Sequence, residues 1–204
     1  MASIRSIRSC SSEPIPMQAH ALDNLKYIRE TMERAGSFTA VPGLGGVFMG
    51  LTALAAAGIA TWQTSPKHWL ATWLIEGALA IIVGVLAMWK KSAQAGMELW
   101  SAPARKFAHA FVPPMIAGAA LTLALWSNGL VHLIPGAWLL LYGIGVVTGG
   151  AFSVRVIPVM GVCFLVAGVI ALFTPFAWAN IWLGGCFGGL HIVFGAIIAR
   201  RFGG

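Results

Sequence analysis

The chain alternates between long apolar runs and short polar segments. A helical run of roughly 20 apolar residues matches the thickness of the hydrocarbon core of a bilayer. Six such runs predict an all-α membrane fold with a transmembrane domain over residues 43–201. The predicted spans cover residues 43–62, 69–89, 108–127, 134–152, 156–174 and 177–199.

The segment before the first span has a different pattern. Its apolar residues Leu22, Leu25, Ile28 and Met32 recur every three or four positions, with charged residues between them. This spacing predicts an amphipathic helix over residues 21–36 that lies at the membrane interface. Residues 1–20 are polar and contain two prolines, which predicts a disordered tail.

Composition agrees with the apolar pattern, because 58% of the residues are hydrophobic and only 9% are charged. Soluble domains carry roughly 25% charged residues, so a water-soluble globule is excluded. The formal charge of +7 comes from residues at segment ends, which excludes the continuous basic face of a nucleic-acid-binding protein. Twelve Lys and Arg residues fall on one predicted side and only Lys67 on the other. The positive-inside rule therefore places both termini and the 90–107 loop in the cytoplasm. The chain is thus predicted to be a multi-pass protein of the inner membrane.

Tryptophan is concentrated at the predicted outer ends of the spans, where indole N–H groups can reach headgroup water. Seven of the nine lie there: Trp62, Trp69, Trp73, Trp126, Trp138, Trp178 and Trp182.

An internal spacing recurs three times: a Met, then a Gly 28 residues later, then a Gly seven further on. Each set starts in an odd-numbered span and ends in the next one, which predicts three tandem helical hairpins. Coincidence in a chain with 25 glycines is the alternative. Because small residues let helices approach closely in lipid, these glycines are predicted to form packing faces. They are Gly77, Gly84, Gly143, Gly150, Gly188 and Gly195.

The third hairpin, from Leu165 to Trp178 and on through Gly188 to Gly195, resembles the HdeD-like six-helix bacterial inner-membrane proteins. The resemblance implies a fold of hairpin repeats and a role connected with acid resistance. The charged segment at 21–36 departs from the short tail of that family. The whole chain is also similar to a group of bacterial membrane proteins that carry the segment GGAFSVR-x-x-PVMG, here Gly149 to Gly161.

Two ionisable residues fall inside predicted spans, Glu76 and His191. Such residues are costly in lipid and mark candidate functional sites. A facing carboxylate and imidazole could relay protons or bind a cation. The alternative is structural: a protonated Glu76, and a His191 bonded to a backbone carbonyl or to the hydroxyl of Tyr142 or Thr148.

Basic residues at the predicted cytoplasmic side form a second group of candidates. Arg155, in a very short turn, is expected to bind an anionic lipid head or to cap backbone carbonyls. The 90–107 loop is predicted to lie on the inner leaflet as a helix that Pro103 interrupts. Its residues Lys90, Lys91, Arg105 and Lys106 are candidates for lipid or interface contacts, with passive anchoring as the alternative to partner recognition.

No catalytic fingerprint, cofactor motif or metal-ligand spacing occurs in a supporting context. The leading hypothesis is a non-enzymatic structural, stress-related or partner-binding module of the inner membrane, without metal or cofactor. Its expected partners are the lipid bilayer and either a second copy of the chain or a cytoplasmic protein. The alternative hypothesis is a small-solute or proton transporter that uses Glu76 and His191.

Overall fold

The computed structural model describes residues 24–28, 41–94 and 101–202, and the chain divides into two units, Met1–Gly36 and Ser37–Gly204. In the first unit, residues 24–28 are helical and exposed. The rest of the helix predicted over residues 21–36, and the tail predicted over residues 1–20, lie outside the described residues.

The described part of the second unit is helical and contains no β-strand. We number its six long helices in chain order. They are α1 (Gly43–Thr61), α2 (Pro66–Gln94), α3 (Ala102–Ser127), α4 (Ile134–Gly150), α5 (Val156–Leu172) and α6 (Phe176–Phe202). Helix α6 is irregular: it opens with a 3₁₀ turn and contains a π-helical segment, Gly184–Leu190.

Five of these helices are long and apolar enough to cross a membrane, α4 being counted with the 3₁₀ turn Val131–Leu133 that precedes it, and α5 is apolar but has 17 residues. Large apolar side chains such as Ile75, Ile116 and Val166 are exposed on the helix surfaces. In water such surfaces would be unfavourable, whereas lipid covers them without cost. The chain is therefore an all-α protein of the multi-pass membrane class.

The prediction of a separate amphipathic helix over the 90–107 loop gave the wrong bounds. Helix α2 continues through Lys90 and Lys91 to Gln94, and α3 already begins at Ala102. Pro103 does not interrupt a helix but lies in the first turn of α3, where its missing N–H leaves no hydrogen bond unmade. Ser101 caps this turn by accepting from the backbone N–H of Ala104 at 3.4 Å.

The helices pack in two groups. Helix α1 lies between α2 and α6, and α4 lies between α3 and α5. Helix α1 contacts α2 and helix α3 contacts α4, the pairs that the first two predicted hairpins join. The helices of the third hairpin, α5 and α6, contact each other less extensively than they contact α4 and α1, respectively.

The contact between α1 and α6 is made by glycines at backbone distance. A Cβ atom added at Gly195 would lie 2.8 Å from the carbonyl oxygen of Gly43, and one at Gly188 would lie 2.5 Å from the side chain of Leu54. On the opposing helix, a Cβ at Gly50 would lie 2.6 Å from the Gly188 carbonyl oxygen. At Gly195 and Gly50 the crowding atoms are backbone carbonyl oxygens, so no side chain larger than hydrogen fits there and the two backbones touch.

The contact between α4 and α5 follows the same principle. A Cβ at Gly143 would lie 3.0 Å from the carbonyl oxygen of Gly161, and the reverse distance is also 3.0 Å. At Gly150 it would lie 2.8 Å from Ile157. Four of the six glycines predicted to pack, in α4 and α6, thus do so closely.

The two predicted packing glycines of α2 behave differently. A Cβ at Gly84 would be in ordinary contact, 3.5 Å from the sulfur of Met49. Gly77 is exposed and a Cβ there would have nothing within 4 Å. The predicted packing role of Gly77 was wrong, because α2 packs mainly on α1 and Gly77 lies on its uncovered side.

Candidate functional site

A groove of about 510 Å³ lies at one end of the bundle, between the first turns of α5 and the last turns of α6. Arg155 reaches it from the N-cap of α5, and Arg200 and Arg201 reach it from the end of α6. Below the arginines the groove is lined by apolar side chains that include Val159, Phe194 and Ile197. The fold therefore combines a basic rim with an apolar wall in one site.

The three arginines carry charge that the rest of the described chain does not neutralise. Arg155, Arg200 and Arg201 are all exposed, and within the described ranges none of their guanidinium groups makes an ion pair or a hydrogen bond. Glu76 is the one acidic residue of these ranges, and it does not line the groove. The rim can thus take up an anionic group without first breaking a contact to the described part of the chain.

Lys91 has a structural role at the same end of the bundle. Its ammonium group donates hydrogen bonds to the carbonyl oxygens of Val41, at 2.9 Å, and Phe202, at 3.1 Å. The latter is an end carbonyl of α6 and has no partner within the helix ladder, so a cation there is favourable. Lys91 fastens the start of α1 and the ends of α2 and α6 together.

The remaining basic candidates lie on the surface near this end. Lys90, in the last turns of α2, and Arg105 and Lys106, in the first turns of α3, are exposed. None of them lines the groove. They supply positive charge at the helix ends without forming part of the site.

Glu76, in α2, is 7% exposed and faces α1. Its Oε1 atom lies 2.9 Å from the Oγ1 atom of Thr52, which also lies 2.9 Å from the carbonyl oxygen of Met49. The Thr52 hydroxyl donates to Oε1 of Glu76 and has the Met49 carbonyl oxygen as a second acceptor. An apolar environment favours the neutral form of the acid.

The Thr52–Glu76 pair makes a testable prediction about stability. We expect a double-mutant cycle of Thr52→Val and Glu76→Leu to give a coupling free energy of about 1 kcal/mol, since hydrogen bonds between membrane helices are modest. The readout is unfolding of the purified protein in detergent. Glu76→Gln, whose amide oxygen can accept from the same hydroxyl, should stay within about 0.5 kcal/mol of the wild type. A coupling free energy of zero would contradict the assigned bond.

His191 follows the π-helical segment of α6 and is 6% exposed. Its Nε2 atom lies 2.6 Å from the hydroxyl of Tyr142 on α4. The rings of Phe164 and Phe187 lie 5.5 and 6.2 Å from the imidazole ring. The pair of buried His191 and half-buried Tyr142 joins the two helix groups through a polar contact among aromatic rings.

The second ring nitrogen of His191, Nδ1, makes no hydrogen bond of standard geometry with the described residues. A tautomer with the proton on Nδ1 lets Tyr142 donate to Nε2.

Glu76 and His191 are not brought together. Glu76 bonds to Thr52 and His191 to Tyr142, and no hydrogen bond or ion pair connects the two within the described residues. The Tyr142 hydroxyl is one of the alternative partners expected for His191. Within the ranges 24–28, 41–94 and 101–202, no three of His, Cys, Asp and Glu form a metal-binding group.

A third polar site, at the opposite end of the bundle, was not predicted. The indole N–H groups of Trp69 and Trp73 both donate to Oδ1 of Asn180, at 2.8 and 3.1 Å. The expectation that these two tryptophans reach headgroup water was wrong, because each is only 4% exposed. Trp62 and Trp178 are exposed, at 87% and 52%.

Sequence spacing gave one usable signal for the tryptophan site. Trp69 and Trp73 are four residues apart and therefore share a helix face, which marks a pair able to meet one acceptor. The acceptor, Asn180, is 107 residues from Trp73 and could not be identified from local pattern.

Comparisons with protein-family models, with curated proteins and with solved structures found no match to this chain. The resemblance to HdeD-like proteins therefore stays a prediction from the sequence.

Proposed function

We propose that the chain crosses the inner membrane six times with both termini in the cytoplasm. The 17 residues of α5 rise about 26 Å at 1.5 Å per residue, close to the roughly 30 Å of a hydrocarbon core. The groove and the Lys91 contacts support a single basic end, because they bring the ends of α2 and α6 and the starts of α1 and α5 together.

Cysteine labelling tests this topology in a background without the three native cysteines. Asn128→Cys, between α3 and α4, should react with a membrane-impermeant maleimide added to intact spheroplasts. Gln94→Cys, at the end of α2, should react only after permeabilisation. Equal labelling of both positions from outside would rule out the proposed orientation.

We propose that the chain is a non-enzymatic binding module whose basic end holds an anionic partner at the inner membrane surface. The observation that carries this function is the convergence of Arg155, Arg200 and Arg201, from two helices, on one groove. Arginine forks match phosphate and carboxylate groups bidentately, so three of them form a strong anion-binding rim. A local concentration of cations without described partners is unfavourable unless an anion neutralises it.

The experiment compares the composition of two purified charge variants. In a mild detergent, the wild-type protein should retain an anionic component that the variant R155Q/R200Q/R201Q loses. The variant K90Q/R105Q/K106Q removes the same charge from the same end without altering the groove, and it should retain that component. Identical losses in both variants would show a general charge effect and would count against the proposed site.

The second candidate function is a proton or small-solute pathway. The observation in its favour is the presence of two buried ionisable side chains, Glu76 and His191, in the apolar helices, the latter next to a π-helical segment. Proton flux in proteoliposomes should then fall by tenfold or more in H191F and in E76Q. Unchanged flux in both variants, with intact folding, would exclude this pathway.

A further inference from the structure

We propose that the groove binds one anionic phospholipid, with its phosphate at Arg155, Arg200 and Arg201 and an acyl chain along Val159, Phe194 and Ile197. The proposal rests on the binding function assigned above and names its ligand class. A phospholipid would contact both the basic rim and the apolar wall of the groove, whereas a soluble anion would contact only the rim.

The rim suits a compact anionic oxygen group that can accept several hydrogen bonds. Arg200 and Arg201 are adjacent in α6, and Arg155 comes from the start of α5, so the three guanidinium groups approach from two elements. No carboxylate stands among the described residues that line the groove. A phosphodiester can accept several charge-assisted hydrogen bonds from such a rim.

The wall continues from the rim into the apolar part of the bundle. Val159 lies one turn into α5 from Arg155, and Phe194 lies nearly two turns before Arg200 in α6. At 1.5 Å per residue these positions are about 6 to 9 Å from the rim along the helices. Val159 is 56% exposed, so the wall offers apolar surface that the described chain does not cover.

The order of the two features along the helices, with the basic rim at the end and the apolar wall further in, decides between ligand classes. Inorganic phosphate or an acidic peptide from the cytoplasm would meet the rim but would leave the wall in contact with lipid. A phospholipid places its charged group at the membrane boundary and its chains in the hydrocarbon region, as the groove does. The site volume of about 510 Å³ falls within the range of small-molecule clefts.

The end of α6 is held in position for this role. Lys91 bonds to the carbonyl oxygen of Phe202, the residue after Arg201. Fixing this end limits the freedom that the arginines lose when a ligand binds, which favours affinity. Lys91 itself does not line the groove, so it remains occupied with backbone carbonyls.

The test uses the full chain, delipidated in a neutral detergent and titrated with phosphatidylglycerol while native mass spectrometry counts the bound molecules. One phosphatidylglycerol should bind per chain, and phosphatidylcholine should bind at least tenfold more weakly. Three lost surface arginines should weaken phosphatidylglycerol binding in R155Q/R200Q/R201Q by about a hundredfold. K90Q/R105Q/K106Q should bind it within about threefold of the wild type.

Two further arms keep the lipid assignment separate from the binding function. F194S should weaken phosphatidylglycerol binding but not the binding of inorganic phosphate, and R155K/R200K/R201K should bind at intermediate strength if the Gln variant fails to fold. Equal affinity for phosphatidylglycerol and inorganic phosphate, or retention of an acidic protein instead, would overturn the lipid assignment and leave the binding function standing. If R155Q/R200Q/R201Q retained every anionic ligand of the wild type, both the lipid assignment and the binding function would be overturned.

Discussion

Replacing Gly195 by alanine should lower the free energy of unfolding by about 3 kcal/mol, because the added methyl group has no room. Its Cβ would lie 2.8 Å from both the Gly43 carbonyl oxygen and the Val47 nitrogen, and backbone atoms cannot move aside as a flexible side chain can. The helices α1 and α6 would have to separate, which also loosens the contacts at Gly50 and Gly188.

Gly77→Ala provides a matched control, because it is the same change at a glycine of the same sequence repeat. No atom lies within 4 Å of a Cβ at Gly77, so alanine there should leave stability unchanged or raise it by up to about 1 kcal/mol through its higher helix propensity. Unfolding in detergent, followed by tryptophan fluorescence, measures both variants. Similar shifts for Gly195→Ala and Gly77→Ala would contradict the assigned contact between α1 and α6.

Replacing Asn180 by alanine should cost about 2 kcal/mol, since it removes the acceptor for two buried indole donors at once. Trp69 and Trp73 would each keep an N–H group in a site that is 4% exposed. The neighbouring rings of Trp138 and Phe176 lie 6.2 and 5.0 Å from Trp69 and offer it no oxygen acceptor. Water or a shift of the Trp69 ring must then satisfy the donors.

Asn128→Ala serves as the control for this site. Asn128 is exposed after α3 and donates to the carbonyl oxygen of Ala124, so its loss should cost less than about 0.5 kcal/mol. The fluorescence emission of folded Asn180→Ala should move to longer wavelength, because water reaches the indoles, whereas that of Asn128→Ala should not. Unchanged stability and emission in both variants would show that the Asn180 bonds contribute nothing.

The apolar runs predicted the helices well because lipid demands long, continuous hydrophobic segments and closed backbone hydrogen bonds. The ends of α2 and α3 were harder to place. Polar residues such as Lys90 and Ser92 lower the apolar signal although the helix continues through them. Pro103 can either stop a helix or open one, and which it does depends on the Ser101 cap beside it.

The site residues divide according to how local their chemistry is. Arg155 could be proposed from its own short turn, but its meeting with Arg200 and Arg201 depends on how α5 and α6 pack. Glu76 and His191 were found by their rarity in apolar helices, and Tyr142 was one of the partners expected for His191, whereas nothing in the sequence distinguishes Thr52 as the partner of Glu76.

The glycine repeat shows the limit of spacing arguments most directly. Gly77 and Gly188 hold equivalent places in the repeat. Gly77 is nevertheless exposed, whereas a Cβ added at Gly188 would lie 2.5 Å from the side chain of Leu54. Spacing gives the face of a helix on which a residue lies. Which helix covers that face is set by the contacts of the whole chain.

The contact between α1 and α6 has a consequence for how the protein is made. About 150 residues separate Gly43 from Gly195, and a ribosome adding about 5 to 20 residues per second needs about 8 to 30 s to synthesise them. During that interval the first helix is in the bilayer while its main partner does not yet exist. Until α6 is synthesised, the glycine face of α1 remains in contact with lipid or insertion machinery. A chain that ends before α6 therefore cannot complete its fold and is exposed to membrane proteases.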